Sequence, residues 1–89
     1  MFRCKGNWTV DGVTTREMSS VSGGRGGWDV VFSRDDASIE QIEMIDWEHP
    51  DIVQRGEREC PLPQGCAFKV QKISYFHIYR IYIVRIKKL

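Results

Sequence analysis

Two histidines are the side chains of this sequence best suited to proton transfer near neutral pH. His49 lies among Asp46, Glu48 and Asp51, and His77 lies in a basic segment. A histidine beside an acid and an arginine could cleave a phosphodiester, because the imidazole moves the proton and the guanidinium stabilises the phosphate charge. A chain with 12 acids and 2 histidines offers such sets by chance. A small nuclease or hydrolase that uses His49 or His77 is therefore the last of three hypotheses, and no residue is assigned as catalytic.

Cysteine is the other candidate for chemistry, as a thiolate nucleophile or a metal ligand. The chain has 3 cysteines, Cys4, Cys60 and Cys66, and an odd number argues against a closed disulfide framework. Cys60 and Cys66 enclose five residues, whereas structural zinc knuckles enclose about two to four. We expect reduced thiols, no metal and no cofactor, while the spacing leaves a disulfide or a metal pair at Cys60 and Cys66 open. Cys4 has no evident catalytic partner and is expected to be structural.

Aromatic rings and cations alternate near the C-terminus. Tyr75, Tyr79 and Tyr82 interleave with Arg80 and Arg85, and a sheet of this composition can stack bases while it screens phosphates. The whole chain is nearly neutral, with a net charge of +1, and it contains no recognised RNA-binding motif. The rings are explained more simply as core residues. Nucleic-acid binding is therefore the second hypothesis and is not favoured.

The small net charge conceals a strong separation of charge along the chain. Residues 34–59 carry nine acids and three bases, and residues 67–89 carry six bases and no acid. The two segments either face each other or make the molecule a dipole. Both arrangements affect which partners approach it.

Composition predicts one folded domain, residues 1–89. A hydrophobic content of 42% with 28% charged residues is typical of a globular protein and too apolar for a disordered one. The segment Met1 to Lys5 is charged where a signal peptide would be apolar, and no apolar run reaches the roughly 18 residues of a membrane-spanning helix. We therefore expect a cytoplasmic protein with no membrane contact.

The elements that must position these residues begin with an N-terminal hairpin. Asp11-Gly12 between two valines predicts a two-residue type I′ turn, because both residues tolerate positive φ. The register that follows from this turn opposes Val10 to Val13, Trp8 to Thr15, Cys4 to Ser19 and Phe2 to Val21. The face that carries Trp8 and Val10 is apolar and is predicted to join the core.

A third strand and a helix are predicted next. Alternation over residues 28–33 places Trp28, Val30 and Phe32 on one face. Residues 36–47 are predicted to form an acidic amphipathic helix that begins at an Asp35 or Asp36 N-cap and ends before His49-Pro50. Three isoleucines at helical spacing are predicted to pack on the sheet: Ile39, Ile42 and Ile45.

The second half of the chain is harder to assign. Residues 48–66 are predicted to form a long irregular loop, although Ile52-Val53-Gln54 could form a short edge strand. Residues 67–89 are rich in Val, Ile, Tyr and Phe, which favour strand, and they are too long for one straight strand in a domain this small. We expect either two strands or one sharply bent strand, with the turn or bulge near Ser74 to His77.

These elements predict an α+β fold: a small single domain with a mainly antiparallel sheet and one acidic helix on one face. In strand geometry the C-terminal segment is apolar on both faces, with Phe76, Ile78, Tyr82, Val84 and Ile86 on one and Tyr79, Ile81 and Ile83 on the other. One helix covers one face only. The first hypothesis is therefore a non-catalytic protein-binding or self-associating module, with an unknown protein partner or a homodimer. Its predicted contact residues are Tyr75, Tyr79, Arg80, Tyr82, Ile83 and Arg85.

Overall fold

The computed structural model describes residues 3–21, 26–54, 62 and 65–89, without the side chains of residues 3–7 and 54. Its strands are β1 (Arg3–Val10), β2 (Val13–Ser20), β3 (Gly27–Ser33), β4 (Ile52–Gln54), β5 (Phe68–Phe76) and β6 (Ile81–Lys88), and its helix is α1 (Ile39–Glu43). The strands form one six-stranded sheet in the order β4-β1-β2-β3-β6-β5. All five pairings are antiparallel. The predicted antiparallel sheet is confirmed, while the helical part of the α+β prediction is reduced to five residues.

The N-terminal hairpin turns where the sequence predicts it. Asp11 and Gly12 have φ angles of 49° and 79°, and Val10 opposes Val13 while Trp8 opposes Thr15. Beyond Trp8 the predicted register is wrong by one residue, since Cys4 opposes Met18 instead of Ser19. A bulge between Lys5 and Trp8 causes this shift, because an extra residue in one strand moves every later pair.

The core lies on one face of the sheet, which we call the inner face. Alternate residues of β3 and β6 point into it, as predicted for Trp28, Val30 and Phe32. The segment between β3 and β4, together with Leu62, covers this face. The buried apolar residues are Trp8, Val10, Met18, Trp28, Val30, Phe32, Ala37, Ile42, Ile45, Trp47, Leu62, Phe68, Val84 and Ile86.

The predicted helix 36–47 is shorter than expected and begins later. Ser38 is its N-cap instead of Asp35 or Asp36, because those two residues lie in a turn in which Ser33 O accepts the Asp36 N–H at 3.1 Å. Ser38 Oγ accepts the Gln41 N–H at 3.2 Å, and Gln41 Oε1 accepts the Ser38 N–H at 2.9 Å. These reciprocal bonds form a capping box, which satisfies two free N–H groups of the first turn.

The chain leaves the helix after Met44 so that Trp47 can pack on the sheet. Trp47 is buried and lies edge-on to Phe32, with ring centroids 6.5 Å apart. Ile42 and Ile45 are buried as predicted, whereas Ile39 is only partly buried. Tertiary packing of an indole ring thus replaces the last predicted helical turn.

Asp11 attaches this covering segment to the first hairpin. Its Oδ2 accepts the Asp46 N–H at 2.9 Å and its Oδ1 accepts the Asp51 N–H at 2.8 Å. Its own N–H donates to Asp51 O at 2.9 Å. A single turn residue therefore satisfies donors at two points of the covering segment, which a backbone turn alone would leave to solvent.

The C-terminal segment forms a hairpin of β5 and β6, which settles the choice between two strands and one bent strand. The turn comprises His77 to Arg80, slightly later than the predicted Ser74 to His77. A bulge between Val70 and Lys72 interrupts β5. The possible edge strand Ile52–Gln54 exists as β4 and pairs with β1, so the predicted loop 48–66 is partly regular.

Some sequence predictions lie outside the described residues. They concern Phe2, Cys60, and the side chain of Cys4. Within the described ranges, no helix is long and apolar enough to span a membrane.

Candidate interaction surface

The second face of the sheet, which we call the outer face, has no described helix or strand packed on it. Its side chains alternate with those of the core along β3 and β6. Antiparallel sheets with one solvated face usually expose polar residues there. This face instead mixes apolar and charged side chains: Glu17, Ser19, Asp29, Val31, Ser33, Lys72, Ser74, Phe76, Ile81, Ile83 and Arg85.

Apolar side chains of the outer face gather at the β5–β6 turn. Val31, Tyr79 and Ile81 line one shallow depression, and Phe76 and Ile83 line the next one. The two depressions join through the cross-strand pairs of Val31 with Ile83 and of Phe76 with Ile81. With Ile78 of the adjoining turn, these residues form the tip patch: Val31, Phe76, Ile78, Tyr79, Ile81 and Ile83.

The tip patch contains the most exposed large apolar side chains of the hairpin. Ile78 is 87% exposed, Tyr79 71% and Phe76 43%. Single exposed apolar residues are common on protein surfaces, but a contiguous group of them is characteristic of an interaction site. Val31 at the centre of the patch is only 7% exposed, because its neighbours on the same face shield it.

Backbone and ionic contacts hold the turn in place. Arg80 has a φ of 53°, and its N–H donates to His77 O at 3.2 Å. The Arg34 N–H donates to Arg80 O at 2.9 Å, and Arg80 Nη2 donates to Asp35 Oδ1 at 2.9 Å. The turn is therefore joined to the chain just after β3, so the patch sits on a fixed support.

Arg34 and two tyrosines form a second contact at this end of the sheet. Arg34 Nη1 donates to Tyr75 Oη at 3.0 Å, and the rings of Tyr75 and Tyr82 have centroids 4.9 Å apart. The guanidinium carbon lies 5.8 Å from the Tyr75 centroid, so the cation contacts the hydroxyl end of the ring. This hydrogen bond raises the pKa of Arg34 above its ordinary value, and the side chain stays cationic at every physiological pH.

Arg85 lies on the outer face beyond the patch and is paired with Asp29. Its Nε and Nη2 donate to the two carboxylate oxygens at 2.9 Å and 3.2 Å. The hydrogen bond to Asp29 raises the pKa of Arg85. These two parallel hydrogen bonds fix the guanidinium group in one orientation, and the Asp29 carboxylate neutralises the charge of Arg85.

The structure divides the predicted contact residues between two faces. Tyr79 and Ile83 belong to the tip patch, and Arg85 flanks it on the same face. Tyr75 and Tyr82 form a cross-strand pair on the inner side, and Arg80 binds Asp35. The first group lies on the tip patch or beside it. In the second group Tyr75 and Arg80 are also exposed, but both contact the residues that follow β3.

Several residues of this surface were absent from the predicted contact set. Val31 and Ile81 form its centre, and Arg34 and Asp35 anchor its turn. The alternation of β3 already indicated Val31, because placing Val30 and Phe32 inward turns Val31 outward. The anchoring contacts join residues more than forty positions apart, and no local pattern reveals them.

The candidate catalytic and metal residues lie on separate elements. His49, in the connection between α1 and β4, is highly exposed, and its Nδ1 lies 3.7 Å from Asp46 Oδ2. His77, in the β5–β6 turn, lies edge-on to Tyr75 with centroids 6.2 Å apart. Cys66 is a free, partly buried thiol. Among the described residues, no three His, Cys, Asp or Glu side chains are grouped to hold a metal ion.

Comparison with known proteins adds no relative from which a function could be transferred. The chain has no significant match to a protein-family model, to a curated protein or to a solved structure.

Proposed function

We propose that this protein is a non-catalytic binding module that self-associates through the tip patch. The observation that carries this proposal is the contiguous apolar group at the β5–β6 turn, on a face that no described helix or strand covers. Burying such a group against a second surface removes apolar area from water, which favours association.

A second copy of the chain is the partner that the surroundings of the patch favour. Charges of both signs border it, with Arg16 and Glu17 beside Val31 and with Lys72 and the Asp29–Arg85 pair beside Ile83. A twofold axis brings the same surface patch of two copies together. Such a border has little net charge, so it does not repel a second copy as a border of one sign would.

The rigidity of the turn also supports a binding role. Its contacts to Arg34 and Asp35 fix the backbone that carries the two most exposed apolar residues of the patch, Ile78 and Tyr79. A surface that is already ordered loses less conformational entropy on association. The histidines support no comparable argument for hydrolysis, since His49 and His77 lie on separate elements.

Light scattering of the purified chain tests this proposal. The measured mass should rise from that of a monomer to that of a dimer over about a hundredfold range of protein concentration, because a small interface associates weakly. Ile83→Lys should keep the chain monomeric over the whole range, since it places an unpaired cation inside the interface.

Met44→Lys is the matched control for this experiment. Met44 is 84% exposed but lies at the end of α1, in the segment that covers the inner face. This variant should associate like the native chain. A monomer at every concentration for the native chain, or equal loss of association in both variants, contradicts the proposal.

A further inference from the structure

A second feature of the outer face lies at the opposite end of the β5–β6 hairpin. Lys69 opposes Lys87, and Lys72 opposes Arg85, in adjacent cross-strand positions. Like charges directly opposite each other destabilise a sheet. Asp29 offsets the charge of Arg85, so the pair of Lys69 with Lys87 is the one that counts against the stability of the fold, and it indicates a role in binding.

The bulge in β5 creates this arrangement. Phe68 and Val70 point to the inner side, and uninterrupted alternation would turn residue 72 inward as well. The bulge inserts Gln71 as an extra residue, so Lys72 pairs with Arg85 on the outer face and lies next to Lys69. Bulges commonly re-aim a side chain next to a functional site.

Three cations of this group are available to a ligand. Asp29 already pairs with Arg85, whereas Lys69, Lys72 and Lys87 are exposed and form no ion pair or hydrogen bond with any described residue. We call these three residues the lysine strip. The described acids nearest to the strip are Asp46 and Glu48, which line one depression with Lys69, but neither forms an ion pair with it.

An aromatic ring continues the line of the strip along β5. Lys72, Ser74 and Phe76 line one shallow depression of the outer face together with Arg85, and Phe76 is 43% exposed. Alternate residues of a strand lie about 6–7 Å apart. Cations followed by an exposed ring along one groove are typical of proteins that bind single-stranded nucleic acid, because phosphates contact the cations and an unpaired base stacks on the ring.

We propose that the lysine strip binds the phosphates of a single-stranded nucleic acid, one base of which stacks on Phe76. An acidic peptide would satisfy the lysines equally well but would gain less from the ring. A duplex would satisfy them without offering an unstacked base. The ring therefore favours a single strand over both. Because Phe76 also belongs to the tip patch, a strand bound there competes with self-association, so binding is measured at protein concentrations at which the chain is monomeric.

Fluorescence anisotropy with a labelled single-stranded oligonucleotide of about 20 nucleotides tests the role of the strip. Each phosphate contact contributes about −0.7 to the slope of log affinity against log salt, so three lysines give a slope of about −2. Affinity should then fall about twenty-fold between about 50 and about 200 mM salt. In the double variant Lys69→Gln with Lys72→Gln, the fall over the same range should be only about threefold.

Lys88→Gln is the matched control for charge, because Lys88 is exposed but opposes Phe68 instead of another cation. It should keep the native slope. Phe76→Leu tests stacking, since it removes the ring and keeps an apolar side chain in the tip patch. It should weaken single-strand binding at least about fivefold while leaving the salt slope unchanged.

Two competitors decide the class of ligand. A duplex of the same sequence and a polyglutamate of equal charge should both displace the labelled strand less well than the unlabelled strand does. The proposal is overturned by absence of binding at about 50 mM salt, where phosphate contacts are strongest. An unchanged slope in the double variant, no effect of Phe76→Leu, or equal displacement by polyglutamate also overturns it.

Discussion

The two faces of this sheet are built from the same strands and differ in what they carry. On β6, Val84 and Ile86 are fully buried on the inner face, while Ile83 and Arg85, which alternate with them, lie on the outer face. The inner face follows the rule of an apolar core. The outer face departs from the expected polar surface at the turn, where it carries an apolar patch. At the other end it carries the like-charged pair of Lys69 with Lys87, which is unfavourable in a sheet.

This difference shows that the residue types on the two faces of one strand meet two different requirements. Neighbouring residues of β6 have the same strand backbone. The requirement to form a strand therefore cannot explain why the outer positions are apolar or cationic. Local choices that disagree with the fold concentrate at functional sites in natural proteins. The inner face therefore explains the stability of the domain, and the outer face carries the surfaces proposed for binding.

The substitution with the largest expected effect tests whether the inner face supplies most of the stability. Phe32 is fully buried and contacts Trp47, so Phe32→Ala should lower the free energy of unfolding by about 3–5 kcal/mol through lost apolar burial and a cavity. Ile83→Ala on the outer face should cost about 1 kcal/mol or less. Urea denaturation measures both. Equal losses would show that the outer face is packed as tightly as the core.

Asp11 provides a second test, because it holds the covering segment over the inner face. Asp11→Asn keeps a residue that tolerates the positive φ of this turn, but the amide offers one acceptor oxygen for the N–H groups of Asp46 and Asp51. One charged hydrogen bond is lost and the other becomes neutral. We expect a loss of about 1–2 kcal/mol in urea denaturation.

The control for Asp11 is Asp36→Asn, which changes the same charge at an exposed acid. It should leave the unfolding midpoint within about 0.5 kcal/mol of the native value. A loss in Asp36→Asn as large as that in Asp11→Asn would mean that net charge, not the two backbone contacts, governs how the segment is held.

Much of this fold was predictable because its signals are local. Asp11-Gly12 fixed the first hairpin, and alternation placed Trp28, Val30 and Phe32 in the core. The predictions that failed depend on tertiary contacts. Gly6 lies at the β1 bulge, and a glycine within a strand often marks one, but it does not determine which pairs shift. The helix ends early because Trp47 packs on Phe32.

The candidate surface was predictable only in part for the same reason. Composition showed that the C-terminal segment is apolar on both faces and basic, which indicated Tyr79 and Ile83. The register between β5 and β6 decides which other residues share the outer face with Tyr79 and Ile83, and the β5 bulge changes that register at Gln71. The cross-strand pairing of Lys69 with Lys87 therefore appears only in three dimensions.

Thr15 places a buried hydroxyl group among the apolar side chains of the inner face. Its side chain is fully buried, and its Oγ1 has no hydrogen-bond partner among the described residues. A buried hydroxyl without a partner destabilises a protein, and valine has nearly the same shape. Thr15→Val should raise the free energy of unfolding by about 1 kcal/mol. A decrease would show that the hydroxyl is satisfied in solution, by water for example.

The substitution with the smallest expected effect tests whether the like-charged pair on the outer face lowers the stability of the domain. Lys69→Glu converts the pair of Lys69 with Lys87 from like to opposite charge at directly opposed positions. Removing the repulsion and adding attraction should stabilise the domain by about 0.2–1 kcal/mol at low salt. The gain should shrink in about 1 M salt, where the screening length is about 3 Å. Thermal denaturation at the two salt concentrations measures it.

Lys88→Glu is the control that separates this pair from a general effect of net charge. Lys88 lies next to Lys87 but opposes Phe68, an uncharged residue, so the same charge change there should bring a smaller gain. A variant Lys69→Glu that is more stable than the native chain and binds single strands less tightly would show that the strip is kept at a cost to stability. Equal gains in both variants would trace the effect to net charge and remove the cross-strand argument for the strip.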